Sequence, residues 1–344
     1  MLKVAINGFG RIGRIALRAI LTKYLAEIKP VAINTSGSMD VDGWAHLFEY
    51  DSVYGRFRGK LKIQNPKSKN EKEIGVLEIN NQVIPVLAER EPAKIPWRDY
   101  DVDVVIESTG VFRDRKSASA HLEGGAKKVV VSAQSKEPKD LKTFIVGVNE
   151  DKYRGELVID NASCTTNCAA PVTKVIMENF GIQKGLMTTI HAYTADQELV
   201  DGSHKDLRRA RAAAVNIVPT STGAIVSLVE VLPSLKGLFD GLAFRVPIVC
   251  GSVADFSFLT IKRTTVEEVN KAFVKAAFGE YKGIIEVSEK PLVSSDIIGN
   301  SASAIVDLPL TQVVNGDLLK IVAWYDNEWG YVCRLIDLII LISN

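Results

Sequence analysis

The sequence predicts an α/β protein of two domains: a doubly wound parallel sheet, then an α+β domain on a largely antiparallel sheet. Three observations predict it. A strand, glycine turn, helix and second strand follow one another from residue 3. Further continuous apolar runs each end in small or polar residues, the habit of parallel strands covered on both faces. After position 164 the text shifts to longer, alternating strands mixed with helices, as expected of an α+β unit.

Residues 3–7 are a short apolar run, followed by Gly8-Phe9-Gly10-Arg11-Ile12-Gly13 and a periodic stretch at 15–25 whose apolar positions include Ile15, Ala16, Ala19, Ile20 and Tyr24. This reads as strand, tight turn and amphipathic helix. Pro30 is expected to stop the helix, and residues 31–34 to supply the second strand of a βαβ unit. Residues 103–107 end in Ser108-Thr109-Gly110, residues 128–131 end in Ser132, and Phe144-Ile145-Val146 precedes Gly147. Each reads as a parallel strand with a ligand crevice at its carboxyl end. Between Arg56 and Leu87 alternating, Lys-rich strands suggest an insertion or an antiparallel edge. In the second half, strands at 186–193, 242–247 and 255–261 join a helix at 266–278. The expected division is a dinucleotide-binding domain at 1–163, completed by a C-terminal helix at about 327–344, and a catalytic domain at 164–326.

The bulk numbers limit the function. The 344 residues are 47% hydrophobic and 24% charged, the profile of a soluble globular chain. Lys and Arg total 42 against 41 Asp and Glu, so a net charge of +1 gives no global field for nucleic acid or a membrane surface. The longest apolar run, 335–342, is broken by Asp337 and is far short of a span. No signal-peptide pattern opens the sequence, and a cytoplasmic protein is expected. Four cysteines, at 164, 168, 250 and 333, form neither C-x-x-C pairs nor a dense framework, which suits a reducing compartment.

The glycine motif matters because of its setting. Gly8, Gly10 and Gly13 follow a strand and open a helix, where they permit a tight turn and close approach of a pyrophosphate to the helix N-terminus. A Rossmann-type sheet binding NAD or NADP is therefore expected. The fingerprint usually places an acid about 20 residues on, where it holds the adenosine ribose. Here Asn34-Thr35-Ser36-Gly37-Ser38 stands at that place and the first acid is Asp40. No carboxylate repels a 2′-phosphate, and Thr35, Ser36, Ser38 and the Gly37 amide offer donors. An ordinary Ser/Gly turn is the competing reading.

Ser163-Cys164-Thr165-Thr166-Asn167-Cys168 lies between a strand and a helical run. A cysteine at a helix N-terminus meets free N–H groups and the positive dipole end, which favour a thiolate and an oxyanion. Cys164 is thus a candidate nucleophile, while Cys168, Cys250 and Cys333 read as structural and no metal site is expected at this spacing. Only four histidines exist, at 46, 121, 191 and 204, so few groups are available as a base near neutral pH. His191 follows Met187-Thr188-Thr189-Ile190 on an alternating strand, yet sequence spacing alone does not bring it to Cys164.

Five segments in register add to this reading. They are 7–14, 163–168, His191-Ala192-Tyr193-Thr194, Phe244-Arg245-Val246-Pro247 and Tyr325-Asp326-Asn327-Glu328-Trp329-Gly330-Tyr331. Together, over nearly the whole chain, the sequence resembles the phosphorylating glyceraldehyde-3-phosphate dehydrogenase family. The resemblance implies that Cys164 is the nucleophile and His191 its base, forming a thiohemiacetal and then a thioester that inorganic phosphate cleaves. It further implies that Asn327 holds the nicotinamide carboxamide, and that Thr194 and Arg245 bind the substrate phosphate. Ser163, Thr165, Thr222, Gly223 and Arg209 match the inorganic-phosphate site, and Arg11, Ile12, Arg90, Thr109 and Ser132 match cofactor contacts. The basic stretch 205–211 belongs, by resemblance, to a loop that reaches a neighbouring subunit's cofactor, which implies a homotetramer.

Departures from the family pattern concern the cofactor and its surroundings. The family's ribose-binding Asp is Thr35 here, and Gly202-Ser203 stands where NAD-specific members carry a bulkier Leu-Pro pair. Both resemble NADP-using photosynthetic members. A further departure is Gln134, two residues after Ser132, where the family commonly has Pro. Two alternatives stay open at this point: an erythrose-4-phosphate dehydrogenase, and a nucleotide-sensing or RNA-binding protein of the same fold without turnover.

Overall fold

The computed structural model describes residues 1–66, 70–137 and 140–343, and no helix among them is long and apolar enough to cross a membrane. The chain forms two compact units: Met1–Phe144, Lys152–Ala162 and Leu335–Asn344 make the first, Ile145–Asp151 and Ser163–Arg334 the second.

The first unit is built on strands β1 (Leu2–Asn7), β2 (Ile28–Thr35), β3 (Leu61–Gln64), β4 (Glu73–Ile79), β5 (Gln82–Ala88), β6 (Val104–Glu107), β7 (Lys128–Val131), β8 (Lys142–Thr143) and β9 (Val158–Asp160). Their order is β3-β4-β5-β2-β1-β6-β7-β9-β8. All pairs from β5 to β8 are parallel, and only β3 with β4 and β4 with β5 are antiparallel. The Lys-rich segment is thus an antiparallel edge on a parallel sheet. Helices α1 (Arg11–Ala19), α2 (Val41–Glu49) and α3 (Arg115–Glu123) follow β1, β2 and β6. Asp40 and Asp114 cap α2 and α3, each accepting from a backbone N–H. The sheet core is apolar: Ala5, Ala32, Val105, Val129 and Trp97 sit in one buried cluster.

Two expectations fail here for local reasons. Pro30 does not end the first helix; α1 continues as a π-type turn at Ile20–Tyr24, and Pro30 lies inside β2. A proline cannot donate to the ladder. The register between β1 and β2 shifts between Val4 and Ala5, so that Val4 faces Pro30 and Ala5 faces Ala32. Residues 144–146 are not a strand either. The short strand is β8, and the chain from Ile145 belongs to the second unit.

The second unit holds α4 (Cys164–Phe180) and strands β10 (Ile182–Ala192), β11 (Val218–Thr220), β12 (Phe239–Val246), β13 (Ser252–Thr260), β14 (Ile285–Ser288), β15 (Ala304–Asp307), β16 (Gln312–Val314) and β17 (Leu318–Tyr325). The sheet order is β11-β12-β10-β13-β17-β15-β14, with β16 on β17. It is mixed: β10 with β12 and β14 with β15 are parallel, and the rest are antiparallel. Helices α5 (Ala224–Val231) and α6 (Val266–Phe278) flank it, and α7 (Trp329–Leu341) follows β17. Alternation along β13 is strict, with Ala254, Phe256 and Phe258 buried against the helices.

Candidate active site

The end of β10 carries the chemistry. Its final turn of chain places His191, 4% exposed, with Nε2 3.3 Å from Cys164 Sγ. Cys164 opens α4, and Ser163 is the helix cap, its Oγ accepting from Thr166 N at 3.2 Å. The spacing of 27 residues between Cys and His is closed by one helix and one strand.

The tautomer of the histidine follows from its other nitrogen. Nδ1 lies 2.7 Å from the Ala192 carbonyl oxygen, which accepts only, so Nδ1 carries the proton and Nε2 presents its lone pair to sulfur. Arg245 Nη1 donates to the same carbonyl at 3.1 Å and to Thr194 Oγ1 at 3.1 Å, and it sits 3.3 Å from Nδ1. Burial and this neighbouring charge hold the imidazole down to about 3. Burial likewise pushes the Cys164 thiol up, opposed by Arg245 and by hydrogen bonds from Thr165. The helix terminus alone therefore does not make the free thiolate expected from sequence. What burial penalises is each charge by itself. In the resting site both groups are neutral, and proton transfer from Sγ to Nε2 would set two opposite charges side by side, each lowering the cost of the other.

The residues expected to bind anions differ in what they already touch. Arg245 Nε is buried without a protein partner among the described residues, an unmet donor beside Thr194. Thr222 Oγ1 accepts from Ala224 N at 3.2 Å, and Gly223 precedes α5 with no side-chain cap, leaving helix N–H groups for an anion. Arg209 is already engaged. It pairs with Asp196, donates to Thr220 Oγ1 at 2.9 Å and donates to the Ser221 carbonyl at 3.2 Å. Thr165 departs from its expected place: it is buried and its hydroxyl bonds Tyr325 Oη at 2.9 Å. Its side chain also hydrogen-bonds the Cys164 sulfur.

Tyr325 was not singled out by sequence reasoning. Its hydroxyl also bonds Thr189 Oγ1 at 2.8 Å, and its ring meets the His191 ring edge-on at 6.0 Å. An aromatic at the end of an alternating strand gives no signal of such a role. Cys250, read as apolar packing, instead points its Sγ at Asp326 Oδ1, 3.3 Å away. Asp326 also accepts from Glu328 N and Trp329 N at 2.8 Å, capping α7 and fixing Asn327 beside it.

In the first unit the glycine turn fits a dinucleotide. A Cβ on Gly8, whose φ is +92°, would lie 2.7 Å from Thr109 N, and one on Gly13 would lie 2.1 Å from Gly8 O. Gly10, the cap of α1, makes no side-chain cap bond, and a Cβ on it would meet open space, so the helix start can be approached closely. Thr109 N donates to Glu107 Oε1 at 2.8 Å, and Ser132 N donates to the Glu107 carbonyl at 2.9 Å, at neighbouring strand ends. Asn34 is used differently from expectation. Its amide donates to Asn7 Oδ1 and the Glu89 carbonyl and accepts from Glu89 N, so it holds the turn from beneath. Thr35 is buried too, donating to the Leu87 carbonyl at 3.0 Å and accepting from Gly37 N at 3.3 Å. A cation does arrive from elsewhere: Arg90 Nε donates to the Ser36 carbonyl at 3.2 Å.

A glycine turn on a parallel sheet in one unit, and a Cys–His pair beside a buried arginine in the other, define an NAD(P)-dependent dehydrogenase. Residues 2–115 match the model of the glyceraldehyde 3-phosphate dehydrogenase NAD binding domain, and residues 163–327 that of its C-terminal domain. The chain belongs to the glyceraldehyde-3-phosphate dehydrogenase family. It is 50% identical over 344 residues to glyceraldehyde-3-phosphate dehydrogenase 1 of Streptomyces avermitilis, covering 99% of this chain and 98% of that one. It is 51% identical to glyceraldehyde-3-phosphate dehydrogenase of Streptomyces coelicolor, covering 100% and 99%. It is 48% identical to glyceraldehyde-3-phosphate dehydrogenase A, chloroplastic, of Chlamydomonas reinhardtii, covering 98% and 87%.

Proposed function

We propose that this protein oxidises glyceraldehyde 3-phosphate to 1,3-bisphosphoglycerate, reversibly, with NAD or NADP and inorganic phosphate. The observation that carries the reading is the Cys164 Sγ to His191 Nε2 contact of 3.3 Å beside Arg245. Cys164 sulfur adds to the aldehyde carbon, and its proton passes by way of His191 to the new hydroxyl. His191 then takes the hydroxyl proton as hydride leaves the same carbon, and the thiohemiacetal becomes a thioester. The nicotinamide, when bound, is the hydride acceptor. A phosphate oxygen attacks the thioester carbonyl, the C–S bond breaks, and the thiolate is restored. Arg245 and Thr194 hold the sugar phosphate, while Ser163, Thr222 and Gly223 receive the attacking phosphate, with Arg209 behind them.

In the first domain Gly8, Gly10, Gly13, Arg11, Ile12, Thr109 and Ser132 would hold the dinucleotide, and Asn327 is the residue proposed for the nicotinamide carboxamide. Arg90 at the Ser36 turn supplies the positive charge for a 2′-phosphate, so NADP is accepted at least comparably with NAD. A cytoplasmic homotetramer is the expected form. The test is reduction of each cofactor with glyceraldehyde 3-phosphate, with and without inorganic phosphate. Sustained turnover that requires phosphate is expected; equal turnover without it would make the protein a hydrolytic aldehyde dehydrogenase.

A further inference from the structure

We propose that Ser252 is a positioning residue that sets the orientation of the Asn327 amide and ties it to the peptide bearing His191. The proposal rests on the reading of Asn327 as the nicotinamide contact. Ser252 is 1% exposed at the start of β13, and its hydroxyl has two neighbours. Ala192 N donates to Ser252 Oγ at 3.2 Å. With its lone pair so engaged, Ser252 directs its own proton to Asn327 Oδ1, 2.9 Å away. Gly251 N donates to the same oxygen at 3.1 Å.

Two consequences follow from this geometry. Asn327 Oδ1 is held by two donors, so its NH₂ is the end that faces outward to a ligand carbonyl. Without the Ser252 donor the oxygen keeps only Gly251 N, the flipped amide becomes easier to reach, and that form presents oxygen to a ligand carbonyl oxygen. The second consequence concerns Ala192. Its N–H is held by Ser252, while its carbonyl receives His191 Nδ1 and Arg245 Nη1. One residue, through its two flanking peptide groups, thus connects the base and the arginine to the amide by way of a single buried hydroxyl. Cys250 contributes on the neighbouring residue, through Asp326.

The experiment measures binding by calorimetry to full-length Ser252→Ala, Asn327→Ala and the double variant. Two probes are used: NAD, and ADP-ribose, which lacks the nicotinamide. Ser252→Ala is expected to weaken NAD about tenfold, the worth of one buried hydrogen bond, and to leave ADP-ribose within about twofold. In the Asn327→Ala background the further loss on adding Ser252→Ala is expected to vanish, since both act through one contact. KM for NAD should rise in Ser252→Ala by more than kcat falls. Equal weakening of both probes, unchanged NAD affinity, or additive losses in the double variant overturns the proposal. Unchanged NAD affinity in Asn327→Ala alone overturns the underlying reading of Asn327 and the proposal with it. Should Ser252→Ala not fold, Ser252→Cys keeps the shape with a weak donor and carries the same comparison.

Discussion

His191 owes its working form to one hydrogen bond and one burial. The Ala192 carbonyl fixes the proton on Nδ1, and the surroundings hold the ring neutral down to about 3. The unfolded chain takes up that proton near 6.5, so the native state loses stability as pH falls from about 6.5 toward 3, and gains nothing from this group above that window. His191→Asn should therefore show a smaller fall in denaturation midpoint between pH 7 and pH 4.5 than the parent. The same variant should lose turnover by about 10²- to 10⁴-fold, the usual worth of general acid–base catalysis, with cofactor affinity nearly intact. An unchanged acid slope would place the histidine's proton in the native state. At this scale the sequence was legible where chemistry is rare. One cysteine in a polar helix start and one histidine among four could be named, but nothing in their spacing gives a contact of 3.3 Å. Ser252 and Tyr325 were illegible, because serines and tyrosines on alternating strands are ordinary.

At the scale of elements, the proposed cofactor choice rests on the turn after β2. Thr35 donates to the Leu87 carbonyl. An aspartate there has no proton to donate, and its carboxylate is repelled by that oxygen toward the crevice, where it meets a 2′-phosphate as a like charge. Thr35→Asp is expected to lower kcat/KM for NADP more than for NAD, and Arg90→Ala to do the same by removing the cation. Steady-state constants for both cofactors check it; a parent enzyme that strongly prefers NAD would refute the reading of this turn. The helix at Val266–Phe278 keeps the bounds expected from sequence, and Thr265 and Glu268 form a capping box at its start. The strand at 144–146 was misread for a physical reason. An apolar triplet buried in a loop looks the same as one in a sheet when periodicity is the only signal.

At the scale of the molecule, the second unit leaves several large apolar side chains uncovered between 199 and 217. Leu199, Leu207 and Val215 are each more than 70% exposed. Such a surface asks for a partner of matching character, which supports the proposed homotetramer. Sedimentation is expected to give about four times 37.6 kDa, and Leu207→Asp to shift it toward smaller species; a monomer at micromolar concentration would refute the assembly. The class of both sheets was legible from strand length and alternation. Strand order was not, since pairing across a parallel sheet leaves no periodic mark.

The edge of the first sheet bears on how such a protein changes over generations. Arg90 is delivered to the Ser36 turn by β5, whose register on β2 is set by Ile33 against Val86, Asn34 against Leu87 and Thr35 against Ala88. The chain between β2 and β5 carries β4, which pairs with β5 from Glu73 against Leu87 to Ile79 against Gln82, and Lys72, which pairs with Glu89 next to Arg90. Residues gained or lost in that excursion act on the strand that delivers the guanidinium, so the length of the surface ribbon and the choice of redox currency are tied to each other through β4.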